Sequence, residues 1–135
     1  MTATRIDLLY RDAANYKTAS GVVFRGEPTP DLVARLTAAL DGDSIVCEQV
    51  GLIHPARTDN LFAGRFPDEE DDHGWVELDP ERIRAVTSAP TDDRTFAEFV
   101  AACEQAAADG WDPDISIDEA GGWTDPVVAA RLRNG

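Results

Sequence analysis

Imidazole is the side chain best suited to moving protons near neutral pH, and this sequence has two, His54 and His73. His54 follows the apolar run SIVCEQVGLI at 44–53, where a strand would give way to a loop, a common place for catalytic groups. Glu48 lies within that run, and Arg57 and Asp59 lie just beyond it. Together they offer a base, a carboxylate, an anion-holding guanidinium and an orienting group. The constellation lacks a nucleophile, because Ser44 and Ser88 sit in no GxSxG elbow. GxGxxG, the Walker loop and HExxH are likewise missing from the sequence. A small hydrolase or metal-assisted enzyme centred on His54 and the loop 54–73 is therefore the alternative reading. The simpler account is that both histidines are structural or surface residues.

The run Asp68-Glu69-Glu70-Asp71-Asp72, followed by His73, crowds carboxylates that a hard cation would relieve. Asp71, Asp72 and His73 are the candidate ligands for a divalent cation, and Glu48 and His54 would join them if the loop folded back. No known site has this spacing, and in so acidic a chain a solvated acidic loop is the simpler account. Asp112, Asp114, Ser116 and Asp118 alternate like the start of a calcium loop. The pattern then fails, with Ile117 where the turn needs glycine and Trp123 where the bidentate glutamate belongs. No bound cofactor is expected. Cys47 and Cys103 stand apart in apolar surroundings, outside any CxxC pair, and read as small buried hydrophobes.

Charge is the most distinctive property. Twenty-six acidic residues against twelve basic ones give a formal charge of −14, with arginine supplying nearly all the positive charge and Lys17 the only lysine. Such a chain repels its neighbours unless salt screens it. The composition is that expected of cytosolic proteins in organisms that accumulate salt. No basic run is present to hold phosphates, so nucleic acid is not an expected partner; Arg5, Arg11, Arg25 and Arg35 would have to cluster in space to supply one. No stretch is long and apolar enough to span a membrane, and the cytoplasm is the expected location. Trp75, Trp111 and Trp123 exceed what a small core readily hides. Trp111 and Trp123 are accordingly candidate interface residues for a homo-oligomer or a protein partner.

These residues need a scaffold, and its periodicities are legible. RIDLLYR at 5–11 alternates with Ile6, Leu8 and Tyr10 on one face, the period of a strand. GVVFRGE reads as a second strand, antiparallel to the first. Thr29-Pro30-Asp31 opens a helix carrying Leu32, Val33, Leu36 and Leu40, and Asp41-Gly42 ends it. The run 44–53 reads as a central strand, and Trp75–Leu78 as another, while ERIRAV is open between strand and helical turn. Phe96, Phe99, Val100, Cys103 and Ala107 form the stripe of a helix over about 92–109, capped by Thr91 or Asp92 and ended by Gly110. A short strand at Ile115 to Ile117 and a last helix near Pro126 are expected in the acidic tail from about 111. The order β-β-α-β-loop-β-α-tail implies a single α+β domain over 1–135. Its architecture would be two-layer, a mostly antiparallel sheet packed on one face by two helices.

YRDAANYK at 10–17 and CEQVGLIHP at 47–55, with DDHGWVEL and DGWDP, resemble a family of small uncharacterised proteins of halophilic archaea and some bacteria. The resemblance spans about residues 5–113. It directs attention to Asp12, Asn15, Tyr16, Lys17, Glu48, Gln49 and His54 without implying a role for any of them. The leading functional expectation is thus a protein–protein interaction or self-associating module.

Overall fold

The computed structural model describes residues 2–58, 66–68 and 72–120. A hairpin dominates it: β1 (Ala3–Arg11) runs antiparallel to β2 (Lys17–Arg25), with Leu8 opposite Ser20 and Arg11 opposite Lys17. The turn that joins them is built by Asp12. Its side chain and its backbone carbonyl accept the N–H groups of Tyr16 and Asn15, at 2.8 and 3.0 Å, and Asn15 takes a left-handed conformation (φ 65°). Asparagine tolerates that conformation better than most residues.

The other edge of β1 is lined by two short strands in succession. β4 (Trp75–Leu78) pairs with Leu8 and Leu9, and β5 (Arg84–Val86) pairs with Ala3–Arg5. Between them Asp79 caps a 3-10 turn at Pro80–Arg82, accepting the Glu81 N–H at 2.9 Å. The segment ERIRAV is therefore both of its alternatives in turn, because Pro80 interrupts the ladder and the chain resumes it at Arg84. β3 (Ser44–Val46) completes the sheet on the far side of β4, giving the order β2-β1-β4-β3 with β5 beside β1.

Helices α1 (Pro30–Ala39) and α2 (Phe96–Asp109) cover one face, so the sheet is antiparallel and packed on that face by two helices. Ile6, Leu8, Tyr10, Phe24, Ile45, Val76 and Leu78 meet Leu36, Phe96, Phe99, Val100 and Cys103 in a single buried cluster. Phe24 stacks on Phe99 with centroids 4.5 Å apart. Cys47 and Cys103 are both buried free thiols, and burial first of all drives their pKa values upward, that of Cys103 to about 12.

Three elements differ from the sequence reading. The run 44–53 is a strand only to Val46; Cys47–Val50 coils into a 3-10 turn ending at Gly51. Cys47 and Val50, three apart, are both buried, a helical spacing hidden within an apolar run. Helix α2 begins at Phe96, not 92, because Thr95 and Glu98 form a reciprocal capping box. Residues 91–95 instead back the edge of β2: Val23 accepts the N–H of Thr91 at 2.9 Å, and Arg94 accepts that of Arg25 at 3.1 Å. The expected strand at Ile115 to Ile117 is helix α3 (Asp114–Glu119), started by the Asp112 side chain accepting the Asp114 N–H. The expected helix near Pro126 lies outside the described residues.

Candidate functional site

Tyr10 ends the inner face of β1, and its hydroxyl reaches the segment that leads into β4. It donates to Asp72 Oδ1 at 2.6 Å and accepts the His73 N–H at 3.2 Å. Asp72, itself buried, also accepts the Asp68 N–H at 2.8 Å. This knot ties residues 66–68 and 72–73 to the hairpin and brings both histidines beside the Tyr10 ring.

His54 is fully buried, its ring 4.3 Å from that of Tyr10 and 4.5 Å from that of Phe66. Nδ1 accepts the Ala56 N–H at 3.1 Å, which places the proton on Nε2, and Nε2 donates to the His73 carbonyl at 3.2 Å. Burial drives its pKa down to about 3, against the smaller opposing pull of the bond to His73, so the ring is neutral at pH 7. His73 repeats the device half-buried: Nδ1 accepts from the Trp75 N–H and Nε2 donates to the Arg11 carbonyl at 2.8 Å. Each imidazole thus bonds two backbone groups, and neither offers a free lone pair to a substrate.

The other sequence candidates are spread around this knot. Glu48 accepts the backbone N–H of His54 at 3.1 Å, so its carboxylate addresses the main chain and not the ring; its second oxygen, Oε1, is buried without a partner among the described residues. Arg57 is exposed at the end of the 3-10 turn Pro55–Arg57. Asp59, Asp71 and Trp123 lie outside the described residues. Among the described residues no group of three or more His, Cys, Asp or Glu side chains is placed to hold a metal ion. Trp111 is half-buried against the core, and its indole N–H donates to the Ala39 carbonyl at 3.0 Å. Gln49 clamps the same bend, bonding the Gly110 carbonyl and the Asp112 N–H. Asp12, Asn15, Glu48, Gln49 and His54, singled out by the resemblance, therefore all fix the backbone here, while Tyr16 and Lys17 are exposed.

A separate concavity lies on the face of the sheet that the helices leave open. A cleft of about 750 Å³ runs over Leu9, Ala19 and Gly21. Its rim carries Arg5, Arg11 and Arg82 against Asp7, Asp43, Glu77 and Asp79, and Arg84 joins from β5 by binding Asp7 at 2.9 Å. Arg5 also holds Asp7, at 3.0 Å, and Arg11 holds Glu77 at 2.8 Å. Burial raises the pKa of Asp7, but its two arginines outweigh that and hold it below the usual carboxylate value. Arg5 lies across Gly21, so a side chain at that position would have to push the guanidinium aside. Sequence reasoning passed over this surface. Its signal was the outward half of the β1 alternation, Arg5, Asp7, Leu9 and Arg11, with one leucine among charges.

No family model matches the chain, and no curated protein or solved structure is significantly similar to it.

Proposed function

We propose that this protein is a protein-interaction module that binds a second copy of itself through the helix-free face of the sheet. The observation that carries the reading is the charge balance of that face. In a chain of formal charge −14, four arginines there meet four carboxylates. Two such chains repel over most of their surfaces, and this face is where that repulsion is locally cancelled. Leu9 and the small residue Ala19 let a facing surface approach closely. A two-fold contact pairs residue i with j and j with i, so a patch carrying both signs can be complementary to itself.

An enzyme centred on His54, with or without a divalent cation, is the weaker reading, since both imidazoles are already bonded to backbone. Native mass by light scattering, at low and high salt and with EDTA, tests the proposal. A species of twice the chain's 14.6 kDa is expected, insensitive to EDTA and favoured by salt. Leu9→Asp should return it to the monomer, whereas Ala101→Asp on the exposed side of α2 should not. A monomer at every concentration and salt level would end the reading.

A further inference from the structure

β2 forms one edge of the sheet, and that edge is only half covered. In this hairpin Val23 turns its N–H and C=O away from β1, toward Thr91, and the Arg25 N–H likewise bonds the Arg94 carbonyl. The period of two along a strand places the N–H and C=O of Gly21, Ala19 and Lys17 on that same outer edge. Among the described residues nothing bonds them. A free edge of this kind is a template for a further strand, and proteins commonly blunt it with charge or proline. Here the stretch Thr18–Val22, TASGV, carries neither.

We infer that the free edge at Lys17–Gly21 takes up an extended acidic peptide segment from another protein as an added strand. Charge selects the occupant. β2 holds Lys17 and Arg25 and no acidic residue, and Arg5 lies across Gly21. A second copy of β2 paired antiparallel about Ala19 would set Lys17 opposite Gly21, and so against the Arg5 that covers it; an acidic strand instead meets Lys17 and the Arg5 guanidinium that Asp7 holds in place. With a screening length of about 8 Å at physiological salt, these local cations set the field at the edge, not the charge of the whole chain. Backbone hydrogen bonds would supply affinity and alternate acidic side chains specificity, as in other strand additions. This inference goes beyond face-to-face self-association and needs no dimer.

The test is fluorescence anisotropy of a labelled (Val-Asp)4 peptide titrated with the intact protein. Saturable binding is expected, at least about tenfold tighter than for (Val-Lys)4. It should be abolished when alternate peptide nitrogens are methylated, a control that leaves the protein unchanged. Lys17→Glu should weaken binding about tenfold, and Ala19→Pro, which removes one outward N–H, should weaken it at least as much. Equal binding of the two peptides, indifference to methylation, or no binding up to about a millimolar would overturn the inference. So would a loss of native mass caused by Ala19→Pro and Lys17→Glu but not by Leu9→Asp, for then the edge would be pairing copies. Loss of the dimer with Leu9→Asp while the peptide still binds would support the edge as a site of its own, separate from the open face.

Discussion

His54 illustrates how one residue type serves opposite ends. Exposed imidazole titrates near 6.5, but burial holds this one neutral down to about 3. The unfolded chain therefore takes up a proton as pH falls below 6.5, while the folded chain does not. Stability is fully present above that value and is lost progressively toward pH 3, at up to about 1.4 kcal/mol per pH unit. Unperturbed carboxyls titrate near 4, so the stretch from pH 6.5 to 5 is where the imidazole contribution stands apart. Urea unfolding across that window should show it in the natural protein and lose it in His54→Asn, which cannot ionise. Tyr10 carries the adjoining bonds to Asp72 and the His73 N–H. Tyr10→Phe deprives a buried carboxylate of a donor and an amide of its acceptor, and should lower the unfolding free energy by about 1–3 kcal/mol.

Among the elements, the connections are held by single side chains at the places where regular structure stops. Arg94 is the clearest case. It grips Asp92 with two nitrogens, donates to the Val50 carbonyl at 2.7 Å, and lies 5.6 Å from the ring centres of both Phe24 and Phe99. It thereby ties the entry of α2 to the 3-10 turn after β3. Gly74, at the start of β4, is the equivalent point for α3. A Cβ there would fall 2.0 Å from the Pro113 carbonyl oxygen, and Ser116 bonds the Gly74 carbonyl. Since backbone and not a flexible side chain stands in the way, Gly74→Ala must displace residues 111–120. A cost of about 1–3 kcal/mol is expected, together with altered Trp111 fluorescence. Unchanged stability and emission would show that the 74–113 contact is dispensable.

For the molecule as a whole, the decisive quantity is the formal charge of −14. Long-range repulsion between two such bodies grows with the product of their charges, and salt weakens it far more than it weakens contacts inside a closed interface. Dimerisation through the open face should therefore tighten as salt rises, the reverse of association driven by opposite net charges. No helix among the described residues is long and apolar enough to cross a membrane. Arg5 and Arg11, considered for a basic cluster, share the open face but are each engaged with a carboxylate, and Arg35 pairs with Glu104 on the helical side.

By itself the sequence determined the elements whose pattern is local. The alternation Ile6-Leu8-Tyr10 specifies β1, Thr29-Pro30 specifies the start of α1, and the Phe96–Cys103 stripe specifies α2, because period and capping are properties of neighbours in the chain. Where two local patterns competed, tertiary contacts decided. Cys47 and Val50 coil because their burial outweighs strand propensity, and Ile115 to Ile117 turn helical where Ser116 meets Gly74. The roles of the polar residues were also decided in three dimensions. A histidine is a base or a staple according to what its nitrogens touch, and for His54 those partners, Ala56 and His73, are brought together only by the fold. The balanced open face and the edge position of β2 are likewise products of the order β2-β1-β4-β3, since nothing local to Lys17–Gly21 says which strand is left without a neighbour on one side.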